Sequence, residues 1–469
     1  MSNILMVFLQ PILDNNKLDG LICFYDGFVA ELRKNGNNVK AINLHQLEHI
    51  DEGCIYDIKK FKPDIVFAFN NRIAEDIIKN TDCPICVMDA DGINFWTNKD
   101  LIKKYTDRYF LFTFWDGWEQ SEYIKLGFQE KQIASLHLAT SVLAKDTPKT
   151  ANISFIGSVF TGLSNNTIEN ISDEYNLKKE ALDILCNGTI DLEDFYAKHK
   201  DVFDNNIINC YPLFDPRLNV LHSILDLGLD LYGVNWDKLP QEYLLLQSAY
   251  KKQPVFTLAD NERVYNASRV NISISHPQCK GYAFPWRCFD IMASNGLLIS
   301  SYSGLLEKMT HGHVKIPMYK SPFDVRDMCK YALDNPAYCQ DIISASNVYV
   351  DKYARWHDNL QKIQETINVN IVTTTVIEKG TLDVVTVMSK KMAQEITKPI
   401  KIINRQKNKI VSGNTNKVKY FFIHLGIHKR IKIFCYATLL LLAQIPILDL
   451  LQRSNRRLYL KRKIEKWWR

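Results

Sequence analysis

Short apolar runs alternate with amphipathic stretches in the first part of the chain. The run at residues 4–9 is followed by apolar side chains at helical spacing over residues 18–35, and Gly36 ends that stretch. The later runs predict four more strands and a helix, at residues 39–44, 64–69, 86–89 and 108–113 and at residues 55–61. Nearly continuous apolar strands separated by helices are typical of a parallel sheet covered on both faces, so this part predicts an α/β lobe.

A second alternation of the same kind starts near residue 151, and a helical stretch rich in Asn and Asp at residues 164–215 interrupts it as an insertion. The predicted strands are residues 153–158, 230–233, 255–258, 270–275 and 296–301, and the predicted helices are residues 260–267, 286–294, 322–335 and 336–367. Two consecutive series of similar size predict an α/β fold of two Rossmann-like lobes with a cleft between them.

The pattern changes after the last of these helices. We predict four parts: a first lobe over residues 1–145, a second lobe with a closing helix over residues 146–367, a linker over residues 368–410 and a basic, amphipathic tail over residues 411–469. The linker is predicted because its sequence is first Val/Thr-rich and then polar and basic, with little helical periodicity.

Positive charge is concentrated at the C-terminal end of the chain. Residues 401–469 contain 17 Lys and Arg against two acidic residues, which leaves a net charge of −9 for residues 1–400 because the chain total is +6. An acidic body argues against nucleic acid as a partner, and a basic tail favours an anionic one.

The tail contains an apolar run at residues 434–451, interrupted by Gln444, Pro446 and Asp449. It is short for a bilayer span and holds polar residues that are costly inside one. Flanking Lys and Arg residues and a terminal Trp pair favour a helix lying on an anionic membrane surface, while a true span and a packed helix remain alternatives.

The start of the chain and its cysteines bear on the compartment. The first ten residues have no positively charged segment and no small-residue cleavage site, and they are predicted to form a strand. The 11 cysteines are scattered without a disulfide spacing, which suits a reducing compartment. We therefore expect a cytoplasmic protein bound peripherally to the inner face of the membrane.

Ligands of an open parallel sheet bind outside the carboxyl ends of its strands, so the candidate site is sought there. Gly157 and Ser158 end the first strand of the second lobe. Glycine lets the backbone approach a phosphate, and backbone N–H groups can bind its oxygens; the alternative is a simple turn.

The stretch from Ser275 to Gly296 predicts strand, loop and helix, and it is rich in groups that bind anions and sugars. Arg287 falls in the first helical turn, where the helix dipole does not favour a cation, so we expect an anionic partner such as a diphosphate, or else an ion pair. Asp290 lies on the same helical face and can accept ribose hydroxyls. His276 either donates to a phosphate or sugar oxygen or is a structural hydrogen-bonding residue.

A set of segments in the second lobe forms a recognisable pattern: residues 155–158, 231–236 with Gly233 and Trp236, 265–274, Trp286-Arg287-x-Phe289-Asp290, 293–300, Asp334-Asn335-Pro336 and Tyr353-x-Arg355-Trp356. Together they resemble the C-terminal donor lobe of the spore-coat-type GT-B glycosyltransferases. The likeness covers roughly residues 150–360, and residues 105–140 fit the usual end of the family's first lobe. The family often has Glu at the place of Asp290, and the sequence around it is also similar to bacterial Kdo-type transferases that use a CMP sugar.

The resemblance implies a GT-B glycosyltransferase that moves a sugar from a nucleotide-sugar donor to a lipid-linked or cell-surface glycan in bacterial polysaccharide or lipopolysaccharide assembly. It implies no cofactor and no metal, because arginine, lysine and a helix N-terminus neutralise the leaving phosphate in such enzymes. The expected donor-binding residues are Gly157, Ser158, Gly233, Trp236, His276, Lys280, Tyr282, Trp286, Arg287, Asp290 and Ser301.

The Asp-x-Asp sequence of Asp89 and Asp91 is one that the other glycosyltransferase fold uses to hold a divalent cation. Because it ends a first-lobe strand, we interpret both residues as acceptor-side candidates and not as a metal site. Asp116, His276 and Arg287 are the catalytic candidates, since transfer to a hydroxyl calls for a base and for charge stabilisation. Two other functions remain open: an inactive GT-B scaffold that binds nucleotide or glycan, and a sugar-nucleotide epimerase.

Overall fold

The computed structural model describes a large part of the first 387 residues, all within the compact unit Met1–Ser389. The described residues are 1–8, 22–44, 50–93, 96–114, 120–159, 198, 217–234, 236–237, 239, 241–253, 255–276, 279, 283–373 and 383–387. The predicted tail at 411–469, most of the predicted linker and nearly all of the predicted insertion at 164–215 therefore lie outside them.

The first lobe is built on a sheet of seven parallel strands. They are β1 (Asn3–Phe8), β2 (Asn38–Leu44), β3 (Ile65–Phe69), β4 (Ile85–Asp89), β5 (Tyr109–Thr113), β6 (Ile133–Ser135) and, from much later in the chain, β12 (Asp383–Val387). Their spatial order is β12-β2-β1-β3-β4-β5-β6. Every residue of β3 and β4 is buried, as expected of strands covered on both faces.

Five α-helices accompany these strands in the described residues of the first lobe. They are α1 (Cys23–Lys34), α2 (Glu52–Phe61), α3 (Glu75–Lys79), α4 (Asp100–Lys104) and α5 (Gln120–Leu126). In α1, Phe28, Val29 and Leu32 recur at helical spacing and are buried against the sheet. At the start of α2 the Asp51 side chain accepts a hydrogen bond from the Cys54 N–H, as an N-cap residue does.

The second lobe has a sheet of five parallel strands. They are β7 (Ala151–Ile156), β8 (Leu229–Tyr232), β9 (Ser268–Ser273), β10 (Leu297–Ser301) and β11 (Met318–Tyr319), in the order β11-β10-β9-β7-β8. The helices are α6 (Arg217–Ser223), α7 (Leu258–Ala267), α8 (Arg287–Met292), α9 (Gly304–Thr310), α10 (Pro322–Asp334), α11 (Pro336–Tyr353) and α12 (Trp356–Ile367).

Both sheets repeat one doubly wound order. In each, the first strand lies between the second and the third, which gives the order 2-1-3-4-5 from the start of each series. The topology reverses between β1 and β3 in the first lobe and between β7 and β9 in the second, and such a switch point opens the crevice in which ligands of α/β sheets bind. The prediction of two Rossmann-like α/β lobes is confirmed.

The structure differs from the predicted elements in several places. The predicted helix at residues 336–367 is divided into α11 and α12, and the short strands β6 and β11 were not predicted. Residues 255–258 do not form a strand: Thr257 is the N-cap of α7, and its hydroxyl accepts from the Asp260 N–H. The sequence Thr-x-x-Asp is a helix-start signal that outweighs the short apolar run before it. Strand β12 lies inside the predicted linker, where the β-branched sequence Val-Val-Thr-Val favours an extended strand once a partner edge is available.

The two lobes share a cluster of aromatic rings between them. Phe24 of α1 and Phe114 after β5 pack against Trp286 at the start of α8, with ring centroids 3.9 and 4.7 Å apart. Trp356, the first residue of α12, stacks on Trp286 at 6.1 Å and contacts Phe28 at 4.9 Å. Helix α12 thus follows the second lobe in sequence but packs against β5, β6 and α1 of the first lobe.

Within the described ranges, no helix is both long and apolar enough to cross a membrane.

We predict that Trp356→Ala destabilises the protein by about 3–5 kcal/mol, because it leaves a cavity where a nearly fully buried indole joins the lobes. Urea unfolding followed by far-UV circular dichroism, which reports the backbone and not the tryptophan side chains, measures the change in the free energy of unfolding. The matched control is Tyr338→Ala on α11, whose side chain is 43% exposed and should cost far less. Equal stability losses in the two variants would contradict the interlobe role of Trp356.

Candidate functional site

The candidate site lies at the carboxyl ends of β7 and β9, at the switch point of the second sheet. Gly157 follows β7 directly, and its N–H donates to the Tyr232 carbonyl at 2.9 Å. A Cβ at this position would lie 2.7 Å from Phe155 Cζ and 3.2 Å from Arg287 Nη1. Glycine is therefore required for the guanidinium group to lie against the backbone here.

Gly233 and Trp236, both predicted to bind the donor, support Gly157 from behind. Gly233 has φ +122°, and a Cβ there would lie 2.1 Å from the Gly157 carbonyl oxygen. The indole Nε1 of Trp236 donates to that same oxygen at 2.9 Å, and the Trp236 side chain is fully buried. These two residues position the turn after β7, and Trp236 exposes no surface to a ligand.

Arg287 begins α8 and is the most distinctive group of the site. Its guanidinium carbon lies 5.6 Å from the centre of the Phe155 ring, a cation–π distance. Its Nη1 is buried and has no hydrogen-bond partner among the described residues. A buried charged donor without a partner is costly, so the ion pair considered as an alternative does not explain Arg287 within the described part of the chain.

A second arginine, Arg217, lies beside the first and was not found from the sequence. It is the first residue of α6, is only 4% exposed and lies 5.6 Å from the same Phe155 ring. Its Nη1 donates to the carbonyl of Ser158, so it holds the turn in which Gly157 and Ser158 lie. The available signal was an arginine opening a helix, the same pattern that identified Arg287.

His276 follows β9 and faces this pair of cations. Burial, and then the charges of Arg217 and Arg287, lower the pKa of His276 from 6.5 to about 4. The imidazole is thus neutral at pH 7 and can donate through one nitrogen while accepting through the other.

Ser301, another predicted donor-binding residue, positions the chain that leads to His276. Its hydroxyl accepts from the Ser275 N–H at 2.9 Å and donates to the Ser275 hydroxyl at 2.7 Å. Lys280 and Tyr282 lie outside the described residues.

Asp290 and Trp286, predicted to contact the donor, face the junction between the lobes. The Asp290 Oδ1 atom accepts from the Thr140 hydroxyl at 2.6 Å, and its Oδ2 atom lies 3.8 Å from the Cys23 thiol of α1. The Trp286 indole donates to the Ala139 carbonyl at 2.5 Å. Arg287 and Asp290 belong to the same short helix, as predicted. Their side chains lie in different surroundings, because Arg287 lies next to the Phe155 ring and Asp290 accepts from the Thr140 hydroxyl.

Burial determines the protonation of Asp290. The carboxyl group is almost completely removed from water, and this raises its pKa from 3.8 to about 6, although the Thr140 hydrogen bond and the Arg287 charge oppose the rise. A large fraction of the protein would therefore carry a neutral Asp290 in mildly acidic solution.

The first-lobe pair Asp89 and Asp91 divides into a structural and an exposed residue. Asp89 has no exposed surface and accepts from the Gly92 N–H, the Trp96 indole and the Tyr123 hydroxyl, each at 2.9 Å. Asp89 is thus unavailable to an acceptor substrate, because its carboxylate is buried and already accepts three hydrogen bonds from within the protein.

Asp91 is exposed and accepts from the Asn70 amide at 2.5 Å. Burial and the Cys288 thiol raise the pKa of Cys279 in the second lobe to about 12, and the Asp91 charge adds to this rise. Asp91 follows β4 and so lies at the carboxyl edge of the first sheet. Asp116 lies outside the described residues.

Among the described residues, no group of three or more His, Cys, Asp and Glu side chains is arranged to hold a metal ion.

Residues 217–365 match the model of a family described as glycosyl transferase-like. The match covers most of the second lobe, from Arg217 through His276, Arg287 and Asp290 to α12. No curated protein matches the chain significantly.

Similar solved structures share little sequence with this chain. Anabaena Alr3699/HepE in complex with UDP and glucose is 11% identical, with 78% of this chain and 100% of that chain covered and a TM-score of 0.40. T4 phage BGT in complex with its UDP-glucose substrate has the same identity, coverage and TM-score. Sucrose-phosphate synthase from Thermosynechococcus elongatus is 9% identical, with 78% and 98% covered and a TM-score of 0.43. The fold assignment rests on the sheet order of the present chain.

We predict that Asp290→Asn changes the pH dependence of stability without unfolding the protein, since an amide oxygen can still accept from Thr140. The folded-state pKa of Asp290 is about 6 against 3.8 in the unfolded chain, so the folded state takes up the proton first as pH falls. The free energy of unfolding of the wild type should therefore rise relative to that of the variant between pH 7 and pH 5.

Urea unfolding at both pH values measures this difference. The control variant is Asp341→Asn, which alters an exposed carboxylate on α11 and should follow the wild type. A constant difference between the wild type and Asp290→Asn at the two pH values would show that Asp290 is ionised as usual.

Proposed function

We propose that this chain is a glycosyltransferase that uses a nucleotide-sugar donor, with the donor diphosphate bound at the carboxyl ends of β7 and β9. The observation that carries this proposal is the buried Nη1 of Arg287 beside Gly157, which has no hydrogen-bond partner in the described part of the chain. The family match over residues 217–365 supports it, because the matched segment supplies Arg217, His276 and Arg287.

The electrostatics of the site suit a diphosphate. Two guanidinium groups each lie 5.6 Å from the centre of the Phe155 ring. The pKa of the His276 imidazole is lowered by burial and by both of their charges, so this group is neutral at pH 7. A phosphate oxygen would give Arg287 Nη1 a partner and would offset the repulsion between the two cations.

The same arrangement accounts for the proposed chemistry. When the bond between sugar and diphosphate breaks, negative charge grows on the leaving phosphate, and preorganised cationic donors stabilise that charge. Arg287 is the proposed catalytic donor, Arg217 holds the turn that receives the phosphate, and neutral His276 donates to a phosphate or sugar oxygen. Because the guanidinium groups can supply the positive charge that a metal ion supplies in other enzymes, the proposed reaction needs no bound metal and no cofactor.

The acceptor side of the proposal draws on the first lobe. Asp91 is exposed at the carboxyl edge of the first sheet, and the sequence still predicts Asp116 as the base for the acceptor hydroxyl. The proposed acceptor is a lipid-linked or cell-surface glycan in bacterial polysaccharide or lipopolysaccharide assembly. The basic, apolar tail at residues 411–469 supports a reaction at the inner face of the membrane, next to such an acceptor.

We predict that Arg287→Ala lowers turnover of the donor by about 100-fold or more, as expected when a donor to the developing charge is removed. Thermal shifts with UDP, GDP, CMP and dTDP sugars first identify the nucleotide that binds the full-length protein. Release of that nucleotide by wild type and variant is then compared.

The matched control for Arg287 is Arg269→Ala, which removes an exposed arginine near the start of β9, at the opposite end of the strands. It should turn over the donor at the wild-type rate. If a folded Arg287→Ala variant binds the nucleotide and releases it from the donor as well as the wild type does, the proposed donor site is wrong.

We also predict that deletion of residues 401–469 abolishes flotation of the protein with vesicles that contain anionic lipid. The deletion removes 17 Lys and Arg residues, each of which favours an anionic surface. It leaves the compact unit up to Ser389 intact, so nucleotide binding should be retained. Flotation of the shortened protein would place membrane binding elsewhere in the chain.

A further inference from the structure

The switch point of the first sheet carries an unusual turn. Directly after β3, Asn70 and Asn71 have φ values of +53° and +51°, so two consecutive residues other than glycine adopt the left-handed conformation. Such conformations cost free energy and persist only where surrounding contacts determine them. The turn lies next to β1, at the point where the topology of the first sheet reverses.

Hydrogen bonds from several segments hold this turn. The Asn70 Oδ1 atom accepts from the N–H groups of Ala90 and Asp91 at 3.0 and 3.1 Å. The Asn71 Nδ2 atom donates to the carbonyls of Thr97 and Asn98 at 2.7 and 3.2 Å. The turn is therefore rigidly determined, and so is the backbone of the residue that follows it.

That residue is Arg72, which the sequence analysis did not single out. Its side chain is half-buried, and its Nε atom is buried without a hydrogen-bond partner in the described part of the chain. The Oδ1 atom of the fully buried Asn71 also lacks a partner there. A rigid turn thus presents a guanidinium donor that the described protein does not satisfy.

Ring contacts of α1 connect the surroundings of Arg72 to the second lobe. Tyr25 of α1 packs on Phe69, the last residue of β3, with ring centroids 4.6 Å apart. Its neighbour Phe24 contacts Trp286 of the second lobe at 3.9 Å. Arg72 therefore lies at the carboxyl edge of the first sheet, close to the helix whose aromatic rings contact the second lobe.

We propose that Arg72 binds an oxyanion of the acceptor, a phosphate or a carboxylate, at the switch point of the first sheet. The planar guanidinium group matches both anions, since each presents two oxygens at the spacing of its N–H groups. This inference rests on the proposed function and deepens it: the acceptor is an anionic molecule, and the two lobes each offer an arginine to a different anion.

The experiment titrates the full-length protein with inorganic phosphate and, separately, with glucuronate, while the nucleotide that binds best keeps the second-lobe site saturated. Calorimetry measures both affinities. Arg72→Gln keeps a polar side chain but removes the charge and the guanidinium group, and it should weaken binding of the preferred anion by about tenfold or more. Arg72→Lys keeps the charge without the planar fork and should lie between the two.

Arg269→Ala, the exposed arginine used above, should bind the anions as the wild type does. Loss of phosphate binding in Arg72→Gln identifies a phosphate on the acceptor, and loss of glucuronate binding identifies a carboxylate. Wild-type affinity for both anions in Arg72→Gln, or no binding of either anion to the wild type, would overturn the inference.

Nucleotide binding by the same variants separates this inference from the proposed function. Arg72→Gln should keep the nucleotide affinity of the wild type. If no nucleotide binds the wild type, the proposed donor site fails, and the anion titrations are then compared directly between Arg72→Gln and Arg287→Ala. A phosphate or glucuronate site lost only in Arg72→Gln would still stand as an anion site of the first lobe.

Discussion

The relation between the two sheets depends on the hydrogen bonds of Thr140, in the segment that leads from β6 into the second lobe. Its N–H donates to the Ala354 carbonyl at 2.9 Å, its hydroxyl donates to Asp290 at 2.6 Å, and its carbonyl accepts from Arg355 at 3.1 Å. One residue thus joins the start of the second lobe to α8 and to the turn between α11 and α12. Because Arg287 begins α8, these bonds also determine where its guanidinium group lies relative to the first lobe.

The two switch points give the molecule a repeated chemical plan. In the first sheet Arg72 follows β3, which borders the reversal, and in the second lobe Arg287 begins a helix beside it. Each of these arginines has a buried nitrogen without a hydrogen-bond partner among the described residues. The means of placing the two arginines differ. Gly157 makes room for Arg287 by lacking a side chain, whereas the Asn70 and Asn71 turn holds Arg72 by strained backbone and side-chain hydrogen bonds. Similar topology has thus been adapted by different local chemistry.

The sequence predicted what short-range pattern controls. Apolar periodicity located most strands, and Arg287 was found because a cation in a first helical turn needs an explanation. Long-range partners decided the rest: Asp290 bonds to Thr140 across 150 residues of sequence, and Trp236 bonds to Gly157 across 79. Arg217 lies 62 residues after Phe155 in the sequence, and its position beside that ring depends on the fold and on its hydrogen bond to the Ser158 carbonyl. The Nε atom of Arg72 lacks a hydrogen-bond partner among the described residues. No sequence pattern indicates this, because it depends on which groups the fold brings next to the side chain.

Strand β12 has a consequence for proteins that are shortened from the C-terminal end. It pairs with β2 from Lys40 to Leu44, and in the described sheet it is the strand that occupies that side. A protein ending before residue 383 would present β2 as a bare edge, with a row of backbone groups free to pair with another molecule. Self-association of so shortened a protein would then reflect a missing strand and would say nothing about its native oligomeric state.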